Sequence, residues 1–524
     1  MTRGNYDVVI VGAGHNGLTA AAYLARAGLS VLVLERLGRV GGAAVSAPAF
    51  PGFPTRLSRY SYLVSLLPDR IVADLGLDLA LVSRPTASYS PTVRDGRPTG
   101  LLVERIEGAA TRASFRELTG SDDEYDAWRA FYAGVATLAR AVAPTLTEPL
   151  ATDAALRAQV DPEIWRDVVE QPIGVAIARR FRDDLVRGVV GTDALIGTFA
   201  SLHDRSLAQN RCFLYHLIGN GTGEWRVPVG GMGAVTDALA RAATEAGAEI
   251  VTGAGVSTIR PLGGAAAPVE VRWHDGAREH TVEGSFVLAN VAPWVLRILL
   301  GEEEDPVSKP QGAQLKVNLL LSRLPRLRSG IDPEVAFAGT LHLAETASDL
   351  EVAWAAAQRG ELPDPLPGEV YCHSLTDPSI LGDVPPGTHT LTYFGLHTPA
   401  RLFDADPDRM REEAVRRAIA SLDAVLEDRL EDVVLRAPDG TPCIEAKIPQ
   451  DIEADLAMPG GHIFHGDLEW PWAPARARLE SPAERWGVQT GYPGVLLCGS
   501  GARRGGAVSG LGGHNAARAV LESR

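Results

Sequence analysis

The first forty residues alternate short apolar runs with one helical stretch. Residues 7–11, DVVIV, form a β-branched run that predicts a strand buried on both faces of a parallel sheet. Residues 16–27 have helical composition and stop before Gly28, a residue that commonly ends helices. A second apolar run, LSVLVLE, follows and ends at Glu35. The pattern therefore predicts a βαβ unit at the start of the chain.

The rest of the chain continues this mixture of helices and strands without an internal repeat. Residues 120–220 predict mainly helix, and residues 310–445 predict strands and Pro/Gly loops around one charged amphipathic helix. The remaining predicted elements are a glycine turn and helix after Val227, strands in AEIVTGAGV, EVRWHDG and HTVEGSFVLANVAP, the amphipathic helix 406–428, a strand 495–498 and a helix in HNAARAVLE. Such a chain is typical of a loop-rich α/β enzyme.

Glycines fill the turn of the first βαβ unit. Gly12, Gly14 and Gly17 form G-x-G-x-x-G, and Glu35 lies 23 residues after the first of them. Gly12 permits a tight turn, Gly14 lets a pyrophosphate approach the backbone, and Gly17 lets the helix pack on the strand. The helix N-terminus attracts the phosphates, and Glu35 can accept hydrogen bonds from a ribose. These residues predict a dinucleotide-binding site.

Two further glycine-rich segments favour FAD over NAD. Arg39 and the pair Gly41–Gly42 follow the ribose acid, as is common in large flavoproteins, although an ordinary glycine turn would also fit. Near the C-terminus, seven glycines in residues 499–513 separate a strand from a helix whose N-terminus suits a reduced flavin. A closing helix of the sheet is the alternative. GGMGAV has no ribose acid after its next strand, so we expect no NAD(P)H domain.

Composition and charge narrow the class of protein. The 524 residues are too many for one simple core and predict two or more lobes. A net charge of −15 argues against nucleic-acid binding, and no apolar run is long enough to span a membrane. The start of the chain lacks the pattern of a secretory signal. The four cysteines, Cys212, Cys372, Cys443 and Cys498, form no CxxC pair, so we expect no metal, and a cytoplasmic protein with reduced thiols.

Four segments together resemble a known family. They are DVVIVGAGHNGLTAAAYLARAGLSVLVLER…VGGAA, VGGMGAVTDALARAATEAGA, GGHIFHGDL and LLCGSGARRGGAVSGLGGHNAARA. The chain resembles the phytoene desaturase-related, or phytoene dehydrogenase-like, FAD-dependent oxidoreductases over essentially its full length. The resemblance implies an α/β fold with a Rossmann-type, glutathione reductase-like FAD-binding domain from residues 1–85, 225–310 and 480–524. It also implies an inserted α+β substrate domain from residues 86–224 and 311–479.

The same resemblance assigns the residues that would hold FAD. At the adenine-dinucleotide end these are Gly12, Gly14, His15, Asn16, Gly17, Glu35, Arg36, Arg39, Gly41 and Gly42, with Val256 against the adenine. Along the ribityl chain and flavin they are Gly499, Ser500, Gly501, Gly506, Ala507 and Val508. Two positions depart from the family pattern. Ser500 stands where relatives often carry an acid, and Arg503–Arg504 replace a His-Pro pair, so they either face solvent or favour an anionic substrate or flavin.

The predicted activity is removal of a hydride from a C–H bond of a hydrophobic or alicyclic small molecule. A redox-neutral flavin isomerase and a non-catalytic FAD-bound scaffold are the alternatives. Electrons would pass to oxygen, a quinone or a protein, and the sequence does not fix the oligomeric state. The candidate proton carriers are His203, His216, His465 and Lys316. Trp470 and Trp472 could form a wall of an apolar pocket or pack in the core.

One segment raises the question of membrane contact. Residues 56–77 combine apolar side chains such as Leu66 and Leu67 with Arg56, Arg59 and Arg70. A stretch of this kind either lies on a membrane surface or forms a core helix with solvated charges. Peripheral membrane contact is therefore an expectation that depends on where these leucines point.

Overall fold

A computed structural model describes residues 4–264 and 267–524. Within them the chain folds around two seven-stranded sheets. The first sheet draws its strands from residues 5–35, 249–289 and 495–497, and the second from residues 86–104 and 315–447. Because each sheet is built from segments far apart in sequence, the chain crosses between the two layers several times.

The first sheet has a parallel centre in the order β9-β2-β1-β12-β18. The amino-terminal half of β12, residues 279–284, pairs antiparallel with β11, which in turn pairs antiparallel with β10. Its strands are β1 Asn5–Val11, β2 Val31–Glu35, β9 Glu249–Thr252, β10 Gly255–Pro261, β11 Val269–His274, β12 Glu279–Ala289 and β18 Val495–Leu497. The carboxyl ends of β1, β2, β12 and β18 meet at one edge, which is where ligands bind in open α/β sheets.

The second sheet is antiparallel in the order β17-β13-β16-β15-β14-β6-β7, apart from one parallel pair, β14 with β6. Its strands are β6 Thr86–Arg94, β7 Arg97–Glu104, β13 Leu315–Leu321, β14 Thr340–Leu343, β15 Gly368–Tyr371, β16 His389–Gly395 and β17 Ile444–Lys447. Two short ribbons complete the strands: β3 Ser46–Pro48 with β4 Arg56–Ser58, and β5 Leu81–Val82 with β8 Val227–Pro228.

Helices cover both sheets and fill the space between them. In the first half of the chain they are α1 His15–Arg26, α2 Asp69–Leu75, α3 Ala109–Thr119, α4 Asp123–Val142, α5 Asp153–Arg157, α6 Pro162–Trp165, α7 Ile173–Arg180, α8 Asp184–Thr192, α9 Ala208–Leu217 and α10 Met232–Glu245. In the second half they are α11 Pro293–Leu299, α12 Pro333–Ala336, α13 Ala347–Gln358, α14 His373–Thr376, α15 Pro407–Asp423, α16 Leu430–Val433, α17 Pro449–Leu456, α18 Pro482–Arg485 and α19 Leu511–Glu522.

Helices α1 and α19 pack closely on each other beside the first sheet. A Cβ atom at Gly513 would lie 1.9 Å from the carbonyl oxygen of Asn16, and one at Gly512 would lie 2.5 Å from that of Cys498. Helix α19 begins at Leu511, three residues before the predicted start. The sequence pattern predicts both glycines in a loop, whereas the structure places them in the first turn of α19. Only residues without Cβ allow the helix to approach Asn16 and Cys498 this closely.

Two other predicted elements differ in the structure. AEIVTGAGV does not form one strand, because Gly253 has φ of +70° and breaks it between β9 and β10. The charged helix is also shorter than predicted, since α15 ends at Asp423 rather than 428. The first βαβ unit, from β1 to β2, agrees with the prediction to within two residues at each boundary.

The segment proposed for membrane contact is buried. Leu66 and Leu67 are 3% and 1% exposed, and Ile71 on the short helix α2 is fully buried in the same core. The expectation that this stretch lies on a membrane surface is therefore wrong, because its apolar side chains face the protein interior. Within residues 4–264 and 267–524, no helix combines the length and hydropathy needed to cross a bilayer.

Candidate functional site

The carboxyl end of β1 forms a cradle of bare backbone. Gly12 has φ of +99°, and a Cβ atom at Gly17 would lie only 2.1 Å from the Gly12 carbonyl oxygen. Asn290, directly after β12, donates from Nδ2 to that carbonyl at 3.0 Å. A Cβ at Gly14 would lie 3.1 Å from the same Nδ2 atom. The end of β12 thus fixes the shape of the glycine turn.

A second glycine pair and one carboxylate close the cradle. Gly41 donates its backbone N–H to the Ala13 carbonyl at 2.9 Å, and a Cβ at Gly42 would lie 3.3 Å from the Cα of Gly14. The buried Glu35 accepts from the backbone N–H of Ala13 at 2.8 Å and from that of Leu37 at 2.8 Å. Each oxygen keeps a lone pair for a ribose hydroxyl, so Glu35 orders the loop and still offers acceptors.

The turn leaves several polar groups without a partner. Among the described residues, neither side-chain atom of the 1%-exposed Asn16 amide has a hydrogen-bond partner, nor does Nε2 of His15. Helices α1 and α19 both begin at glycines, Gly14 and Gly510, that supply no side-chain cap in the described structure. Unpaired buried polar atoms at the start of α1, together with two helix N-termini that have no side-chain cap, fit an anionic, hydrogen-bonding cofactor such as FAD.

The loop after β18 lies against the same cradle. A Cβ at Gly499 would lie 3.1 Å from Oδ1 of Asn290, and one at Gly501 would lie 2.4 Å from Pro293. Ser500, Gly506, Ala507 and Val508 line the large cavity described next, as the flavin-binding assignment requires. The individual FAD-binding assignments remain predictions, including those of Arg36, Arg39 and Val256. The Arg36 guanidinium donates to the Asp455 carbonyl at 3.1 Å.

A cavity of about 470 Å³ joins these loops to the second sheet. At one end it is lined by His15, Ser500 and residues 506–508. At the other end it is lined by residues of β6, β14 and β15. Side chains from the mainly helical residues 120–220, which we call the helical segment, also line it there and include Trp128, Tyr132 and Asp193. A ligand in this space would contact both the cofactor loops and the second sheet.

One row of side chains crosses the second sheet along the cavity. Lys316 on β13 pairs in register with Phe394 on β16, Phe394 with Glu369 on β15, and Glu369 with His342 on β14. All four line the cavity. Because neighbouring strands lie about 4.8 Å apart, Lys316 and Glu369 are roughly 10 Å apart along the row. The row therefore places an amine, beside residues 58–62, and a carboxyl at two separate points of the cavity wall.

Lys316 lies in a buried environment at the β13 end of the row. Its Nζ donates to the carbonyl oxygens of Ser58, at 2.5 Å, and Tyr60, at 3.2 Å, and lies 5.2 Å from the ring centre of Tyr62. Burial lowers its pKa to about 7, with a further decrease from Arg59 and an opposing effect from Glu445. A neutral amine that donates two hydrogens keeps one lone pair for a third partner.

The deeper end of the cavity is rich in buried acids. Burial and the neighbouring carboxyls raise the pKa of Glu345 and of Glu369, and burial raises the pKa of Asp193 to about 7. Tyr371 donates its hydroxyl to Glu369. Arg84 is the buried cation of this region, and its Nη1 donates to Thr340 at 3.2 Å. Carboxyls outnumber guanidinium groups here.

The structure separates the three candidate histidines. His203 is exposed and lies beside Gly174, outside the cavity wall. His465 is buried next to Gly501 but also lies behind the wall, and burial lowers its pKa to about 3. His216 lines the cavity, stacks on Trp225 at 5.1 Å and has its pKa lowered to about 4 by burial. Of the four proton-carrier candidates, His216 and Lys316 therefore reach the cavity.

The two tryptophans do not form a pocket wall. Trp470 and Trp472 stack on each other with ring centres 5.0 Å apart, and Trp472 also packs on Trp165 at 5.4 Å. None of these three tryptophans is among the described residues that line the large cavity. They belong to the core, because their rings fill space between the C-terminal loop and the helical segment.

Arg503 and Arg504 also lie away from the cavity. The 1%-exposed Arg504 donates to the carbonyl oxygens of Thr145, at 2.9 Å, Glu148, at 2.6 Å, and Trp486, at 2.9 Å. Arg503 pairs with Glu469 at 2.7 Å nearer the surface. Neither arginine lines the cavity in which a flavin would lie. Arg504 is also shielded from solvent. Arg504 instead ties two segments, residues 145–148 and Trp486, to the C-terminal segment.

Replacing Arg504 with methionine is expected to lower the stability of the protein by about 3 kcal/mol. Three charge-assisted hydrogen bonds of roughly 1.5–3 kcal/mol each are lost, and this loss is partly offset because methionine does not carry the desolvation cost of a buried guanidinium. Thermal unfolding followed by circular dichroism measures the change. Arg503→Met is the matched control and should cost about 1 kcal/mol or less, since its ion pair is partly solvated. Equal melting temperatures for the two variants would contradict the assigned role of Arg504.

Sequence reasoning missed several residues of the site. Asn290 could have been found, because it is the polar residue directly after a buried strand. Glu369, His342 and Asp193 carried no motif. Only the alternation of polar and apolar residues in TLHL and GEVY distinguished the first two, and that alternation does not reveal which strands are neighbours.

Comparison with known proteins gives consistent matches. Residues 17–436 match the family described as flavin containing amine oxidoreductase. An uncharacterised protein of Mycobacterium tuberculosis is 51% identical over 99% of this chain and 97% of its own length. The pyridine nucleotide-disulfide oxidoreductase domain-containing protein 2 of Mus musculus is 31% identical over 98% of this chain and 93% of its own length.

Solved structures agree on the fold. A putrescine oxidase variant superposes with a TM-score of 0.58 at 18% identity, covering 99% of each chain. At this identity the similarity shows the fold, and the fold is that of the amine oxidase-like flavoproteins with a Rossmann-type FAD-binding domain.

Proposed function

Because the chain belongs to the flavin-containing amine oxidoreductase family and is an FAD-dependent oxidoreductase, we propose that it removes a hydride from a C–H bond of a mainly apolar small molecule. The substrate would lie in the cavity between the cofactor loops and the second sheet. This activity agrees with the resemblance to phytoene desaturase-related enzymes, which act on carbon–hydrogen bonds.

One observation carries the proposal: the cavity reaches both the flavin-binding loop and a wall of apolar side chains. Residues 506–508 line its cofactor end, and Leu63, Leu66 and Phe394 line the space beyond. Apolar walls exclude water from the reacting carbon and strengthen electrostatic interactions there. A scaffold protein would not need a cavity of about 470 Å³ in this position.

Lys316 is the residue we assign to the proton. In its neutral form it can take the proton that the substrate loses while the hydride passes to FAD, which supplies the electron-accepting chemistry. The substrate then gains a double bond. An acceptor of two electrons, namely oxygen, a quinone or a protein, must restore the oxidised cofactor.

Val256, Arg36 and Arg39 are assigned to the adenine-dinucleotide end by the resemblance alone.

The proposal is tested by mixing the FAD-loaded protein anaerobically with a panel of compounds and following flavin absorbance. The panel contains alicyclic and polyene hydrocarbons, alcohols and amines, the last because a protein of the same fold is a putrescine oxidase. Bleaching by an apolar compound, with the unsaturated product recovered in equal amount, is the expected result.

Three outcomes would count against the proposal. Turnover without any electron acceptor would indicate a redox-neutral isomerase instead. Bleaching by small amines alone would replace the apolar substrate with an amine. Persistent yellow colour with every compound, in a protein whose flavin is reduced by dithionite, would contradict hydride removal from all of these classes.

A further inference from the structure

The deep end of the cavity contains a second cluster of donor atoms that the proposed reaction does not use. One nitrogen of His342 and one oxygen each of Glu345 and Glu369 lie within 4.8 Å of one another. Within the described ranges this is the one group of three histidine, cysteine or acidic side chains with such spacing. All three side chains are buried, with exposures of 6%, 2% and 3%.

The bonding of Glu345 is incomplete. In the described part of the chain, neither of its carboxyl oxygens has a hydrogen-bond partner. A buried carboxyl without partners costs free energy, and native structures rarely leave one in that state. The nearest ring nitrogen of His342, Nδ1, lies 3.9 Å from Oε2 of Glu345, which is too far for a hydrogen bond. Apart from the nearby Thr192 hydroxyl, which is itself unpartnered, Glu345 keeps acceptor capacity for a further ligand.

The other two side chains are held by neighbours. Oγ of Ser90 lies 3.1 Å from Nδ1 of His342, and Tyr371 donates its hydroxyl to Oε2 of Glu369. Nε2 of His342 and Oε1 of Glu369, the atoms not used in these bonds, are 3.8 Å apart. Hydroxyl partners that orient an imidazole and a carboxylate are typical of the outer shell of metal sites.

The spacing suits a shared ion. Two donors that are each about 2.1 Å from one ion can be at most about 4.2 Å apart. The separations of 3.9 Å to Glu345 and 3.8 Å to Glu369 involve different ring nitrogens of His342, Nδ1 and Nε2, of which only one can bind a given ion. With one donor atom from each residue the set lies within 4.8 Å, so a side-chain shift of about 0.6 Å would bring it within this limit.

The charges of the region also fit a divalent cation. Glu345 and Glu369 are buried carboxyls, Asp193 lines the same cavity, and Arg84 is a guanidinium that also lines it. Ionised, the three carboxylates exceed the guanidinium by two negative charges. A doubly charged ion would neutralise that excess in a place that water solvates poorly.

We propose that His342, Glu345 and Glu369 bind a divalent transition-metal ion of the zinc or manganese type at the deep end of the cavity. A nitrogen donor with two carboxylates suits such ions better than magnesium or calcium, which prefer all-oxygen sites. The sequence-based expectation of no metal rested on cysteine spacing, and these donors are of other types. His342 and Glu369 line the cavity, so an ion there would keep a position open toward it.

The test uses the FAD-loaded protein after treatment with a chelator and removal of the chelator. Zn²⁺ and, separately, Mn²⁺ and Mg²⁺ are added, and binding is measured by titration calorimetry and by elemental analysis after gel filtration. We expect one equivalent of Zn²⁺ per chain, weaker binding of Mn²⁺ and none of Mg²⁺. Glu345→Gln should weaken Zn²⁺ binding about 100-fold or more, since even outer-shell changes cost 10–100-fold.

A surface pair provides the matched control. His274 and Glu279 lie 3.6 Å apart but are about half exposed, so Glu279→Gln should leave Zn²⁺ binding unchanged. Thermal melting in chelator shows that each variant is folded, and His342→Gln serves as a second variant of the site. Absence of stoichiometric Zn²⁺, or equal affinity in Glu345→Gln and the parent protein, would overturn the proposal and leave the carboxyls to be satisfied by protons or substrate.

Discussion

Changing Gly17 to alanine is expected to give a protein that no longer retains FAD. The added Cβ would lie 2.1 Å from the Gly12 carbonyl oxygen and 2.8 Å from Nδ2 of Asn290, whereas ordinary contacts are longer than 3.4 Å. The first contact is with backbone, so no rotamer change can relieve it. Overpacking costs up to about 3 kcal/mol, which corresponds to roughly 100-fold in affinity when the cradle must deform.

The ratio of flavin to protein after purification, measured by absorbance and by chromatography of released FAD, checks this result. Gly38→Ala is the matched control, because it lies in the same loop region and a Cβ there would have nothing within 4 Å. Circular dichroism separates loss of FAD from loss of fold. Stoichiometric FAD in the Gly17 variant would show that the turn deforms without cost and that our account of the cradle is mistaken.

The cofactor end of the site could be predicted because its determinants are local. Gly12, Gly14, Gly17 and Glu35 all lie within one βαβ unit, whose strand–helix–strand order fixes their relative positions. Residues 1–35 therefore specify a binding site without knowledge of the remaining chain. The loop after β18 was recognised for the same reason, since its strand, glycines and helix are continuous in sequence.

The substrate end could not be predicted because it depends on strand register. Lys316, Phe394, Glu369 and His342 form one row only because β13, β16, β15 and β14 are neighbours in that order. Their sequence order differs from their spatial order, and a slip of one residue would turn each side chain to the other face. No short-range pattern carries that information.

Apolar side chains left two further alternatives open. The leucines of residues 56–77 were compatible with a membrane surface or the core, and the pair Trp470–Trp472 with a pocket wall or the core. The structure buries both sets, which is the common outcome for large apolar side chains. Their composition alone could not separate these alternatives, because burial depends on segments hundreds of residues away.

Changing Lys316 to methionine is expected to lower the rate of flavin reduction by substrate by about 10²-fold or more, because general-base catalysis contributes 10²–10⁴-fold. Methionine keeps the length of the side chain and removes the amine, so FAD binding and the fold should persist. Lys309→Met is the matched control. That residue pairs with Glu453 at 2.6 Å outside the cavity, and its loss should leave the rate unchanged.

The pH dependence distinguishes a base from a structural cation. Since burial lowers the pKa of Lys316 to about 7, a neutral, proton-accepting amine predominates above that pH and the ammonium form below it. The rate constant for flavin reduction should therefore rise with pH to a plateau, with a midpoint near 7, and the Lys316→Met variant should lose this limb. A lysine that acts only as a fixed positive charge would give the opposite slope, with activity falling as pH rises through 7. Stopped-flow measurements under anaerobic conditions between about pH 5.5 and 9 decide between the two, and an unchanged limb in the variant would assign the proton to another group in the cavity, such as Asp193.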